Sequence, residues 1–224
     1  SAKFMYENGV MLGYKPEEGI QSALRHGTLA IGQLGLAETL QLLIGWDHTT
    51  EAGMKLAKQI EQLFKTRAAE FKEKYKLNFG VYYTPAENLC YTAMSKFKAK
   101  YGEIPNVSDR DYFTNSMHVP VWQHMDVFEK IDIEAPYHNL CNAGHITYIE
   151  LDGDPSQNIE AFEAVIRKMH DVGIGYGSVN HPVDRDPVCG FSGIIKENRC
   201  PHCGKYLDRS SGDFCPYCGK EVNE

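Results

Sequence analysis

Two Cys-Pro-x-Cys-Gly segments lie close together near the end of this 224-residue chain and constrain its tail more than any other feature. They contain Cys200, Cys203, Cys215 and Cys218, and eleven residues separate the two pairs. Four thiolates suit tetrahedral zinc and leave no coordination position open, so the pattern predicts a structural zinc ribbon. A bound iron centre and two free dithiols are the alternatives.

Cys189 is a fifth cysteine in the same region. We call each Cys-x-x-Cys pair a knuckle. A further knuckle that included Cys189 would need a cysteine three residues earlier, where the chain has Asp186. We therefore interpret Cys189 as a buried or free thiol. The tail has few aromatic residues and no basic run, which argues against a ribbon that binds nucleic acid.

The composition indicates a globular protein. Hydrophobic residues make up 42% and charged residues 24% of the chain, which allows one or two domains with a packed core. The net charge of −7 argues against a surface built to bind nucleic acid. The sequence has no run of about 18 apolar residues and no secretory signal at its start, so we expect no membrane span and a cytoplasmic location.

The first 75 residues show helical patterns. Residues 17–45 contain two, separated near Gly27, and apolar residues cover most faces of the second. Residues 50–75 predict a long amphipathic helix that Thr49 or Thr50 can cap. Its predicted apolar stripe consists of Met54, Leu56, Ile60, Leu63 and Phe64.

Strand and helix patterns alternate in the following residues. The predicted elements are a strand at 78–83, a helix at 86–100, a strand at 145–152, a helix at 157–171 and a Gly-rich strand or strand-to-loop passage at 173–182. This order predicts an α/β fold with some parallel pairing, and residues 101–118 are predicted to form a loop. The composition changes after Pro182, so we place a domain boundary near residue 184, between domains of residues 1–183 and 184–224.

The segment Tyr83–Asn88 places a strand end, a tight turn and a helix start in succession. Pro85 suits the first position of a helix. Free backbone N–H groups and the positive end of the helix dipole make such a junction a phosphate site, and the small side chains of Thr84 and Ala86 leave room for one. Glu87 opposes an anion unless its side chain faces away. Any strand–helix unit has such a turn, so these residues alone leave phosphate binding open.

Four of the nine histidines lie between residues 115 and 148: His118, His124, His138 and His145. Their spacings match no metal motif, so a hydrogen-bonded structural role is expected for each. Cys90 and Cys141 have no activating group nearby in the sequence, and we expect both to be small buried side chains.

Several long segments together carry a resemblance to a known family. They are "LRHGTLAIGQLGLAETL", "YTPAENLCYTAMSKFKAKYG", "DYFTNSMHVPVW", "EAPYHNLCNAGHITYIELDG", "NHPVDRDPVCGFSGII" and the two cysteine knuckles. In this order they resemble the C-terminal third of the anaerobic (class III) ribonucleoside-triphosphate reductases, over nearly the whole chain from about Glu18 to Gly219.

The resemblance implies an α/β fold that forms the second half of a ten-stranded barrel of the ribonucleotide reductase and pyruvate formate-lyase type, with a small zinc ribbon. It implies reduction of ribonucleoside triphosphates by glycyl and thiyl radicals, with formate or a thiol system as electron donor. The implied substrate-phosphate residues are Thr84, Pro85, Ala86, Glu87 and Asn88, and the implied zinc ligands are the four knuckle cysteines. A radical-SAM activating enzyme and a homodimer are the implied partners.

Two family features are not found in this sequence. The family's radical cysteine would precede "LRHGTLAIG", and its radical glycine, in an Arg-x-x-Gly-Tyr segment, would follow the second knuckle. We therefore expect a fragment that does not turn over by itself. Gly190 is the alternative radical glycine, but Pro187 stands where arginine is expected, which favours a tight turn. A standalone zinc-binding regulatory or docking module is the alternative function, and a nucleic-acid-binding zinc protein is the third hypothesis.

Overall fold

The computed structural model describes residues 2–10, 13–83, 86–151, 155–180, 184–185, 189–193 and 202–204. The chain divides into two compact units. One comprises Ser1–Thr147 and Lys168–Tyr176, and the other comprises Tyr148–Arg167 and Gly177–Glu224. The predicted boundary near residue 184 stays a prediction.

The first unit contains most of the regular structure. Its elements in chain order are α1 (Ala2–Glu7), a 3-10 turn (Pro16–Glu18), α2 (Ile20–Leu24), β1 (Thr28–Gly32), α3 (Leu36–Ile44), α4 (Glu51–Tyr75), β2 (Asn78–Tyr82), α5 (Glu87–Tyr101) and α6 (Val127–His138). The predicted long helix, the strand at 78–83 and the helix at 86–100 are confirmed within one or two residues at each end.

β1 and β2 are parallel neighbours, in a register that runs from Thr28 with Asn78 to Gly32 with Tyr82. This pairing corrects the sequence analysis, which predicts a helix over residues 28–32. Apolar residues on most faces are typical both of a buried helix and of a strand, so periodicity could not separate the two. In the second predicted helix, only the part that forms α3 is helical, and it begins after Gly35, which has a φ of +77°.

α4 begins at a capped N-terminus. The Thr50 hydroxyl accepts a hydrogen bond from the N–H of Gly53 at 3.1 Å, which confirms one of the two predicted caps. Gly53 is buried, and a Cβ at this position would overlap the carbonyl group of Asp47. The start of the helix therefore lies directly against the loop that precedes it.

The predicted apolar stripe of α4 is correct except at one position. Met54, Leu56, Ile60 and Phe64 pack against the core. Leu63 is 56% exposed, which corrects the prediction for that residue. It lies about 120° around the helix from the fully buried Ala57, at 100° per residue, and so points away from the core.

α6 has no counterpart in the sequence analysis, which assigns no element to residues 119–144. Asp126 caps it, because one carboxylate oxygen accepts hydrogen bonds from the N–H groups of Phe128 at 2.8 Å and Glu129 at 3.4 Å. Pro136 lies inside the last turn and masks the helical pattern. The predicted loop is confirmed over residues 102–118.

The core of the first unit lies between α3, α4 and the two parallel strands. Its buried side chains are Leu36, Leu40, Ala57, Ala68, Val81, Tyr83, Met117 and Tyr137. Two of them are tyrosines that are fully buried, so each hydroxyl needs a hydrogen-bond acceptor inside the core.

The second unit contains shorter strands. β3 (Thr147–Glu150), whose residues 148–150 belong to this unit, is the neighbour of β4 (Gly177–Asn180), and both lie within the segments 145–152 and 173–182 predicted as strands. β5 (Asp184–Arg185) and β6 (Ser192–Gly193) are antiparallel. The helix predicted at 157–171 is α7 (Ile159–Asp171), which begins in the second unit.

Within the part of the chain that the structure describes, we find no helix long and apolar enough to cross a membrane.

Candidate functional site

The candidate site lies where the two parallel strands of the first unit end. Because β1 and β2 run in the same direction, the residues that follow them, Gln33 and Tyr83, leave the sheet at the same edge. Tyr83 also forms a parallel bridge with His145 and donates its N–H to the carbonyl oxygen of Gly144 at 3.0 Å. The carboxyl ends of parallel strands are the usual place for a ligand in α/β folds.

Helix α5 begins at Glu87, four residues after Tyr83 along the chain. Ala86 is its N-cap residue, and the carbonyl oxygen of Ala86 accepts the first helical hydrogen bond from Cys90 at 2.8 Å. Alanine has no side-chain oxygen that could accept a hydrogen bond from the first-turn N–H groups, which have no partner inside a helix. An oxyanion is a suitable acceptor for them.

The structure describes some of the predicted phosphate residues and not others. Thr84, Pro85 and the side chain of Glu87 lie outside the described residues. Ala86 is half-buried, and Asn88 is exposed in the first turn of α5.

A buried carboxylate connects the ends of both strands. Glu61, in the middle of α4, is fully buried. Its Oε1 accepts a hydrogen bond from Gln33 Nε2, and its Oε2 accepts one from the hydroxyl of Tyr83. The sequence analysis missed Glu61, although an acidic residue on the same helix face as Ala57 and Ala68 was a signal that could have identified it.

Burial affects the ionisation of this group of side chains. Burial raises the pKa of Glu61 above its usual range, and the two donated hydrogen bonds oppose that shift by stabilising the carboxylate. Burial and the neighbouring Glu61 carboxyl raise the pKa of Tyr83 as well. The Tyr83 hydroxyl therefore remains protonated and acts as a hydrogen-bond donor.

The loop of residues 113–119 closes the same edge. Asn115 bridges to Leu34, and the Ser116 hydroxyl donates to the carbonyl oxygen of Gln33 at 3.1 Å. The Cys90 thiol lies 2.8 Å from Asn115 Oδ1. Cys90 is buried, as predicted, and this contact links the first turns of α5 to the loop.

Three of the four candidate histidines lie near one another. His118 Nδ1 lies 3.0 Å from the carbonyl oxygen of Asn115, and Nε2 lies 2.8 Å from that of Ile146. His138 Nε2 lies 2.9 Å from the hydroxyl of Thr147. These contacts confirm that His118 and His138 are hydrogen-bonded, and their structural role stays a prediction.

The other two histidines differ from that prediction. The ring of His145 contacts that of His138, with centroids 3.2 Å apart, but neither of its buried ring nitrogens has a hydrogen-bond partner among the described residues. Burial and then His138 lower the pKa of His145 to about 3, and burial lowers that of His138 to about 4. Both rings are therefore neutral at pH 7, whereas His124 is exposed.

The described residues contain no group of three or more His, Cys, Asp or Glu side chains that could hold a metal ion. Of the predicted zinc ligands, Cys200, Cys215 and Cys218 lie outside the described residues, and Cys203 is exposed. Cys189 is half-buried, and Cys141 is also half-buried rather than fully buried. The zinc assignment therefore stays a prediction.

Comparison with known protein families gives a clear result. The model of the family described as anaerobic ribonucleoside-triphosphate reductase matches residues 1–220. The chain belongs to this family. The resemblance identified from the sequence segments is thereby confirmed.

Individual reductases of the family align along most of this chain. The anaerobic ribonucleoside-triphosphate reductase of Enterobacteria phage T4 is 35% identical over 213 residues, which are 91% of this chain and 33% of that protein. The Salmonella typhimurium reductase is 31% identical over 92% of this chain and 30% of its own length. The chain thus spans about a third of the length of these reductases.

Solved structures of anaerobic ribonucleotide reductases share the fold. That of the Thermotoga maritima enzyme in complex with dATP and CTP has a TM-score of 0.65 and 23% identity, over 91% of this chain and 33% of that one. At this identity the likeness shows the fold alone, and it confirms the predicted α/β class. The ten-stranded barrel and the zinc ribbon stay predictions.

Proposed function

We propose that this chain forms part of an anaerobic ribonucleoside-triphosphate reductase and binds the substrate triphosphate at the start of α5. The parent enzyme would reduce ribonucleoside triphosphates to deoxyribonucleotides by glycyl and thiyl radical chemistry. Family membership supports the reaction, and the dATP and CTP in the Thermotoga enzyme are consistent with nucleotide binding in this family. We assign no radical to a residue of this chain.

One observation carries the phosphate assignment. The uncapped start of α5 follows directly from the carboxyl edge of two parallel strands. Helix N-termini at such edges present N–H groups and a positive dipole to an anion. The proposed phosphate segment is Thr84, Pro85, Ala86, Glu87 and Asn88.

The remaining parts of the proposal come from the family resemblance. The chain would contribute a half-barrel, and the cysteine-rich tail would bind one zinc ion through Cys200, Cys203, Cys215 and Cys218. Four thiolates in paired Cys-x-x-Cys units fit a zinc ion that stabilises structure. A homodimer and a radical-SAM activating enzyme are proposed partners of the parent enzyme.

Calorimetric titration of the complete chain with CTP and with cytidine tests the phosphate assignment. We expect CTP to bind more tightly than cytidine, because the phosphates contact the helix N-terminus. Ala86→Asp places a negative charge there and should weaken CTP binding at least about tenfold.

Ala99→Asp is the matched control, because Ala99 is exposed near the other end of the same helix. It should leave the CTP affinity unchanged. Equal affinities for CTP and cytidine, or an Ala86→Asp variant that binds CTP like the unmodified chain, would contradict the assignment.

A further inference from the structure

We infer that the hydrogen bond from Tyr83 to Glu61 positions the helix start that binds the substrate phosphates, so that Glu61 and Tyr83 are positioning residues for the triphosphate. This inference rests on the proposed function and identifies which side chains hold its phosphate segment in place.

The contacts restrain Tyr83 on two sides. Its backbone N–H donates to Gly144, and its side-chain hydroxyl donates to Glu61 from inside the core. Tyr83 and Glu61 are both fully buried. Tyr83 immediately precedes Thr84 in the chain, so restraining Tyr83 restrains the point from which the phosphate segment continues.

Glu61 extends the restraint to the neighbouring strand. Its second carboxylate oxygen accepts the hydrogen bond from Gln33, the residue that follows β1. One carboxylate on α4 therefore holds the ends of both parallel strands. Both oxygens of Glu61 accept hydrogen bonds. Removal of the Tyr83 hydroxyl therefore leaves the buried Oε2 of Glu61 without its donor.

Such a network affects binding through preorganisation. Backbone N–H groups bind an anion best when the free protein already holds them in the bound geometry. Binding then costs no free energy for ordering the segment that carries them. Loosening the end of β2 should weaken the contacts to the phosphates and leave the contacts to base and ribose unchanged. The ratio of CTP to cytidine affinity measures this difference.

Tyr83→Phe is the principal test, with Tyr137→Phe as its matched control. Tyr137 is equally buried in the same core, and its hydroxyl donates to Met54 Sδ at 3.1 Å and not to Glu61. We expect Tyr83→Phe to weaken CTP binding about fivefold to twentyfold with cytidine binding unchanged. Tyr137→Phe should change neither affinity.

Substitutions at Glu61 provide a second, independent test. Glu61→Ala removes both acceptors and should weaken CTP binding at least as much as Tyr83→Phe. Glu61→Gln should bind CTP nearly as well as the unmodified chain. The oxygen of the new glutamine can accept the hydrogen bond from Tyr83, and its NH2 group can donate to the side-chain oxygen of Gln33 after the Gln33 amide has flipped. Circular dichroism identifies any variant that does not fold, and Tyr83→Phe and Glu61→Gln, which conserve size, then decide the outcome.

The outcomes separate this inference from the proposed function. If the unmodified chain binds CTP no better than cytidine, the proposed function fails. If it prefers CTP and Tyr83→Phe keeps that preference, only the positioning role is wrong. Equal losses of CTP and cytidine affinity in Tyr83→Phe would also overturn it, since they indicate a general structural role.

Discussion

The ring of His48 meets the ring of Tyr137 edge-on, with 5.9 Å between the ring centroids. His48 is fully buried, and neither ring nitrogen has a hydrogen-bond partner among the described residues. Burial lowers the pKa of His48 from 6.5 to about 4. The imidazole is therefore neutral in the folded protein at pH 7.

This burial predicts that the protein loses stability in mild acid. Between pH 6.5 and about 4 the unfolded chain binds a proton on His48 that the folded chain does not, so stability falls as the pH falls through this window. One such histidine contributes a loss of about 2 kcal/mol between pH 7 and pH 5. Urea denaturation of the unmodified chain and of His48→Leu at both pH values should show this difference.

His170→Gln is the control for the acid prediction. His170 lies at the exposed end of α7, with 87% of its side chain accessible, so its removal should leave the pH dependence unchanged. A His48→Leu variant with the same pH dependence as the unmodified chain would show that His48 is not buried in the neutral form.

A second prediction concerns the start of α4. Alanine normally stabilises a helix relative to glycine by about 1 kcal/mol. At Gly53 the new Cβ would overlap the Asp47 carbonyl group, which is backbone and cannot rotate away. We therefore expect Gly53→Ala to lower the free energy of unfolding by about 3 kcal/mol or more, measured by urea denaturation.

The neighbouring Ala52 provides the matched control for the glycine substitution. It is exposed in the same turn, so Ala52→Gly should cost no more than about 1 kcal/mol. If Gly53→Ala is as stable as the unmodified chain, the loop at Asp47 does not lie against the helix as described.

A third prediction concerns the cysteine-rich tail. Protein purified without chelator should contain about one zinc ion per chain by mass spectrometric metal analysis. Cys200→Ser should lower that content substantially, because a structural site needs all four thiolates. Cys189→Ser should leave it unchanged, and a loss of zinc in that variant would identify Cys189 as a ligand.

Local signals were sufficient for some elements of the fold. The helix over 51–75 is predictable because its apolar stripe repeats over several turns and Thr50 is a good N-cap. The strand at 28–32 is not predictable in this way, because its partners are residues 78–82 and no local pattern specifies that pairing. α6 is hidden by Pro136, which normally indicates the end of a helix.

In the candidate site, too, local sequence predicts some features and tertiary contacts determine the others. A strand followed by Pro85 and a small residue indicates a helix N-terminus at residue 86, and the structure begins α5 at Glu87. The side chains that hold this region, Gln33 and Tyr83, lie 28 and 22 residues from Glu61 along the chain. Their hydrogen bonds depend on the tertiary packing of α4 against β2, which residue spacing does not reveal.

The parallel pairing of β1 with β2 also determines when this region can assemble during translation. Thr28 pairs with Asn78, and two helices lie between the strands. At ribosomal rates of about 5 to 20 residues per second, β1 waits about 3 to 10 seconds before its partner has been synthesised. Until then the edge of β1 that pairs with β2 has no β2 to bind, and an unpaired strand edge of this kind is a site where chains can aggregate.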